Sequence, residues 1–587
     1  MSYTAPADHM RFVLEHTAGL ERVRALPAFA DATPDVVAAV LEGAARFAGE
    51  VFAPLNASGD RAGSRVTPAG VTTPPGFRDA YQRYVADGWN SLAGDPEYGG
   101  QGMPFAVQAA TVEMWGAANM SLGLCPELSS GAIAALAEHA PEPLRRRFLP
   151  KMVSGEWTGT MCLTEPQAGS DLSTVTTRAE PDGEAWRLYG RKIYITWGEH
   201  DMADNIVHLV LARAPNAPAG IKGLSLFAVP RYRVGADGRP GEANDVRCVS
   251  VEHKMGIHAS PTCVLAIGDG PGAEGFLVGP LHQGLACMFT MMNHMRLGVG
   301  LQALGVAEHA YQIAVRHARE RVQGRDAAGR PTAILGHADV RRMLLTMKSQ
   351  IQAARGLSYA AAATVDLAHH ASGAVQAAAR ARADLLTPIV KAWCSDMAIE
   401  VTSLGVQVLG GMGFTEDAEA AQCYRDVRIT AIYEGTNGIQ AQDLLGRKVI
   451  KDGGRALAAL LGEMKAAQAA LAPGDARVAA LGRSLGEGIA LLERATAFAL
   501  AESARDPELV GATGVSYLQL ASLVCGAWQW ACALAAAAAG GLDGPARGAL
   551  ADAAAFYAAH LMPRAAACAA IVLAGSAPVA AVDRELL

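Results

Sequence analysis

Two short segments carry side chains suited to chemistry. In YEGTNGIQ, Tyr433 to Gln440, a carboxylate, Glu434, is followed at once by Gly435, Thr436 and Asn437. A lone glutamate is usually just solvated, but a glycine beside it lets a ligand come close to the backbone. A second glycine-rich stretch, QVLGGMGF, Gln407 to Phe414, lies just upstream. In MCLTEPQAGSD, Met161 to Asp171, Thr164 and Ser170 flank a turn marked by Pro166 and Gly169. Such a loop offers N–H groups and hydroxyls to a polar ring edge or a phosphate. Taken alone, it could also be an ordinary capped turn.

Other chemistries find no support. There is no G-x-x-x-x-G-K-[ST] loop, and Gly298, Gly300 and Gly305 follow no strand, so a Rossmann cofactor site is not expected. The ten cysteines are scattered without a C-x-x-C pair, as free thiols in a reducing compartment would be. No metal site is read; His369-His370 is an isolated pair.

The elements that must position these segments differ along the chain. Up to about Thr160 the texture is helical, as in TPDVVAAVLEGAARFAGEVFAPL, with Thr33 and Pro34 as N-cap and first-turn proline. From about Met161 to Gly279 short β-rich runs appear (KIYITWG, NIVHLVLARA, GLSLFAVP), separated by Gly, Pro and Asp. They read as antiparallel strands without strand–helix–strand alternation. Long helical segments return to about Lys451, and after Asp452-Gly453-Gly454 a further Ala-rich helical stretch runs to the end.

The whole chain has 587 residues, 51% hydrophobic and 18% charged, with net charge −7. That suits several packed domains and no nucleic-acid partner, since phosphate contacts need clustered Lys and Arg. The N-terminus lacks an apolar leader segment, so a cytoplasmic location is expected. Leu509 to Leu542 contains no charged side chain and is long enough to span a bilayer. Its Ala, Gly and Gln content favours burial in a bundle, with peripheral membrane contact as the lesser alternative.

In order, LTEPxAGSD, K-x-[aromatic]-I-T (Lys192 to Thr196), an Arg-bearing helix (Arg296), Q-x-L-G-G-x-G-[FY] and YEGT make the chain resemble the acyl-CoA dehydrogenase flavoproteins over roughly residues 1–450. The N-terminal APADHMRFVL, EHKMGIHASPTC, ERVQGR and the extra C-terminal stretch resemble a long bacterial branch of that family. The resemblance implies an α+β multidomain fold. Its parts are an N-terminal α-helical domain (1–160), a middle antiparallel β domain (161–280), a C-terminal four-helix bundle (281–453) and an additional helical module (454–587). FAD would lie between the β domain and the bundle of a homodimer.

The implied reaction removes the α-proton and β-hydride of an acyl-CoA thioester, with electrons passing on to an electron-transfer flavoprotein. Glu434 matches the base. Some branches place their base just before the arginine matched by Arg296, but Met295 stands there and no acid occurs between Gly275 and Val306. The resemblance places Met161, Leu163 and Thr164 at the flavin pyrimidine edge, Tyr194 on the ring, Thr196 near N5 and Ser170 at the pyrophosphate. Arg321, Gln407 and Gly411 would reach the ADP part of FAD bound mainly by another subunit, and Thr436 the adenosine end. Arg296, Ser170 and Gly435 are expected at the substrate.

Tyr194 stands where many members have Trp, Asn293 where Asp is common, His258 where Arg is common, and Gly438 where Gln or Glu follows YEGTN. A medium- or long-chain acyl-CoA is the expected substrate, with methylmercaptopropionyl-CoA second. An acyl-CoA oxidase, or a flavin-binding relative turned to nucleic acid or scaffolding, are the alternatives.

Overall fold

The N-cap read at Thr33 is formed: its hydroxyl accepts from the N–H of Val36, and Pro34 opens the helix Pro34–Phe47. The computed structural model describes residues 3–472, 474–583 and 585, so the outermost residues of the first and last expected units lie outside it. The N-terminal region is helical apart from a small ribbon, Arg65–Thr67 with Gly70–Thr72. Its longest element, Phe105–His139, runs against the helix Gly284–Glu320.

The sheet begins earlier than expected, at Trp157–Cys162. Strand order is 246–251, 262–267, 185–196, 273–278, 224–230, 205–213, 157–162, with 178–182 branching onto 185–196 and 205–213. Most pairs are antiparallel, as read from sequence. The exceptions are 157–162 with 205–213, which run parallel from Trp157↔Asn205 to Cys162↔Val210, and a single parallel register pair of 178–182 with 205–213. A parallel pair needs a long crossover. Here the 163–177 loop and the hairpin 178–182/185–196 supply it, so the sheet is mixed.

Helices Gly284–Glu320, Ala338–His370 and Gly373–Leu409 form three corners of the bundle. The fourth corner is broken into Glu419–Val427, a 3-10 turn and Asn437–Gln442, which continues with wider winding to Ile450. The break arises at Glu434 and Gly435, whose φ angles of 56° and 87° cannot continue a right-handed helix. Further helices of the C-terminal module, among them Arg455–Ala469, Ala476–Glu502, Leu509–Ala536, Gly544–Phe556 and Arg564–Leu573, pack beside it. The charge-free Leu509–Ala536 helix lies among its neighbours with Tyr517, Leu520, Val524 and Trp530 buried.

Candidate functional site

The break in the fourth bundle corner presents the carboxylate. Glu434 takes a left-handed conformation that costs a non-glycine residue about 1–3 kcal/mol, so its surroundings must hold it there. They do so from downstream. The Thr436 hydroxyl caps the next helix by accepting from Ile439 N–H at 3.3 Å. Gln440 Nε2 reaches back to the carbonyl oxygens of Glu434 (3.3 Å) and Gly435 (3.4 Å). Gly435 has φ 87°, the left-handed region that favours glycine, and a Cβ there would also press on that Nε2, 2.7 Å away.

Glu434 Oε2 is buried and has no hydrogen-bond partner among the described residues. Burial raises its pKa to about 7, opposed by the positive charges of Arg296 and Lys391. Arg296 is 5% exposed. Its Nη1 donates to Asn293 Oδ1 at 3.1 Å and lies 3.7 Å from Asp443 Oδ2. Tyr433 donates its phenol to Gln302 Oε1 at 2.6 Å, tying the strand of chain before the base to the helix 284–320.

The second segment forms an ordered loop. Glu165 and Ala168 exchange backbone hydrogen bonds of 2.9 and 3.0 Å. The Glu165 carboxylate accepts from the N–H and hydroxyl of both Thr176 and Thr177 and pairs with Lys192 Nζ at 2.8 Å. Burial would raise its pKa, but Lys192 and these hydrogen bonds bring it well below the carboxylate range. Lys192 also donates to Leu163 O at 3.0 Å, and Ile193 N–H to Thr164 O at 2.9 Å. The loop is thus stitched to the strand that carries Tyr194 and Thr196. Tyr194 has φ 58° and is 61% exposed.

The structure therefore gathers Glu434, Gly435, Thr436 and Arg296 in one group, and Met161, Leu163, Thr164, Tyr194 and Thr196 in another. Ser170 lies on the exposed arm of the loop. Arg321 ends the helix 284–320, Gln407 lies near the end of 373–409 and Gly411 just beyond it, all three exposed. Among the described residues, no hydrogen bond or ion pair joins these three residues to the Glu434 turn. His258 pairs with Asp60 at 2.9 Å, linking the sheet domain to the N-terminal helices. Sequence reasoning missed Gln440, Asp443, Glu165 and Lys391 as supports; a charged residue alone in an apolar helical run, as Lys391 is, was the available signal.

The domain order matches known sequences. Residues 37–156, 160–269 and 282–449 match the families described as acyl-CoA dehydrogenase, N-terminal, middle and C-terminal domain. Residues 460–583 match acetyl-CoA dehydrogenase C-terminal like. The 3-methylmercaptopropionyl-CoA dehydrogenase of Ruegeria pomeroyi is 44% identical over 90% of both chains. The chain belongs to the acyl-CoA dehydrogenase family. Among other acyl-CoA dehydrogenases, the broad-specificity linear acyl-CoA dehydrogenase FadE5 of Mycobacterium tuberculosis is 35% identical, covering 77% of this chain and 76% of its own. The acyl-CoA dehydrogenase fold is seen again in a Bacillus anthracis enzyme solved with FAD, at TM-score 0.76 and 19% identity over 94% of this chain and 89% of that one.

Proposed function

We propose that this acyl-CoA dehydrogenase is FAD-dependent and converts an acyl-CoA thioester to the trans-2-enoyl-CoA, with Glu434 taking the α-proton. The observation that carries this is Glu434 Oε2, a buried carboxylate oxygen without a partner among the described residues, in a turn held upstream by Tyr433 and downstream by Gln440. A base needs a pKa near working pH and an unengaged lone pair, and this oxygen has both. The N–H groups at the Glu434–Gly435 turn are suited to a thioester oxygen whose charge grows as the proton leaves.

The fit to FAD rests on this chain's own residues. An exposed Tyr194 ring offers a stacking face, beside a loop whose Leu163 and Thr164 are partly open. A Cβ at Gly411 would meet nothing within 4 Å, leaving room for a ligand against the backbone. Met161, Leu163, Thr164, Tyr194, Thr196, Ser170 and Thr436 would hold one FAD, and Arg321, Gln407 and Gly411 the ADP part of the other subunit's. When bound, FAD supplies the acceptor for the β-hydride. The rest of the proposal is a cytoplasmic homodimer that passes its electrons to an electron-transfer flavoprotein.

On the acyl group, the 44% relative favours methylmercaptopropionyl-CoA over the medium or long straight chain expected from sequence. The test is an anaerobic titration of the purified flavoprotein with methylmercaptopropionyl-, butyryl-, octanoyl- and palmitoyl-CoA. Bleaching of the flavin by the first at the lowest concentration is expected. A clear preference for palmitoyl-CoA overturns the choice of acyl group, and rapid peroxide formation in air turns the reading to an oxidase.

A further inference from the structure

Lys391 sits within LLTPIVKAWC on the helix 373–409 and is fully buried. A buried ammonium is costly unless something holds it. Its Nζ donates to Asn437 Oδ1 at 2.9 Å. Asn437 in turn donates to Asp396 Oδ1 at 2.7 Å and to Ala392 O at 3.2 Å, which fixes the orientation of its amide. Asn437 is the first residue of the helix capped by Thr436, three positions after Glu434. The left-handed turn is therefore fastened at its end by Lys391 through Asn437, and at its carbonyls by Gln440.

We propose that Lys391 is a positioning residue for Glu434: through Asn437 it holds the turn closed, and its ammonium is a buried positive charge that, beside Arg296, is set against the carboxylate. This rests on Glu434 being the base. The charges around the pair come from every side. Arg296 faces both groups from the helix 284–320, with Asp443 and Arg447 beyond it. Asp396 faces Lys391 from the same helix and is itself faced by Arg428. Tyr433 adjoins the carboxylate. Burial lowers the Lys391 pKa, while Glu434 and Asp396 raise it when ionised, so the ammonium is held most firmly when the carboxylate is charged. Removing the ammonium takes away a positive charge that lowers the Glu434 pKa beside that of Arg296, so that pKa must rise.

The experiment uses the FAD-loaded enzyme in single-turnover bleaching by its best acyl-CoA, across a pH series spanning neutrality. Lys391→Met is expected to move the midpoint of the rising limb to higher pH by about one unit. The rate at pH 7 then falls about fivefold and recovers in alkali. Lys391→Arg is expected to keep the wild-type midpoint. A Lys391→Met midpoint that does not move overturns the charge role, whether the rate is kept or lost evenly at all pH values. Asn437→Ala cuts the link without changing a charge, and serves also if Lys391→Met does not fold. It is expected to slow bleaching about tenfold at every pH; a wild-type rate in that variant overturns the positioning role. Glu434→Gln separates the two claims. If it bleaches at the wild-type rate, the base assignment falls; if it is inert while the Lys391→Met midpoint stays put, only the role of Lys391 falls.

Discussion

Lys192 Nζ and Glu165 Oε1 stand 2.8 Å apart with both side chains out of solvent, joining the LTEP loop to the strand that presents Tyr194. Glu165 also closes the far side of that loop through Thr176 and Thr177. One ion pair thus sets the position of the loop relative to the exposed ring. Lys192→Met leaves a buried carboxylate unpaired and is expected to destabilise by about 3–5 kcal/mol. Flavin should be lost on gel filtration, read as the ratio of flavin to protein absorbance. Adding Glu165→Gln should restore part of the stability, because the two changes share one contact.

Gly435 is the second test of the geometry. Alanine there meets a left-handed φ of 87° and a Gln440 amide nitrogen at 2.7 Å. Gly435→Ala is expected to cost about 1–3 kcal/mol in thermal unfolding. Bound flavin should be kept, while turnover falls about 100-fold through displacement of the carboxylate. Turnover near wild type would mean that the turn tolerates a shift.

The buried carboxylate also sets a pH dependence of stability. Glu434 has a pKa near 4.5 unfolded and about 7 folded, so the folded state holds the proton more tightly. Its contribution is complete below pH 4.5, declines as pH rises, and is lost once pH passes 7. The difference amounts to about 3 kcal/mol. Glu434→Gln, which mimics the protonated acid, should therefore unfold at higher temperature than wild type at pH 8 and at nearly the same temperature at pH 4.5. Equal melting at both pH values would mean that the carboxylate is not desolvated. The same pKa predicts that flavin reduction rises with pH through about 7 and then levels off.

Much of this arrangement could be read locally. Thr33 and Pro34 start a helix by side-chain chemistry alone, and KIYITWG shows its strand by alternation. YEGT announces its turn through Gly435. What stayed hidden depends on contacts across space. WTGTMC, with a glycine between threonines, is a weak strand, and its parallel partner at 205–213 lies beyond an intervening hairpin. Lys391 reads as an interruption of an apolar helix until Asn437 is brought against it by the broken fourth corner.

The central claim, that Glu434 is the group that takes the substrate proton, is tested most directly by anaerobic single-turnover reduction of Glu434→Gln beside wild type. The variant is expected to bind FAD and acyl-CoA as wild type does, and to bleach its flavin about 1,000-fold or more slowly. Bleaching within a few-fold of wild type would contradict the claim and place the base elsewhere.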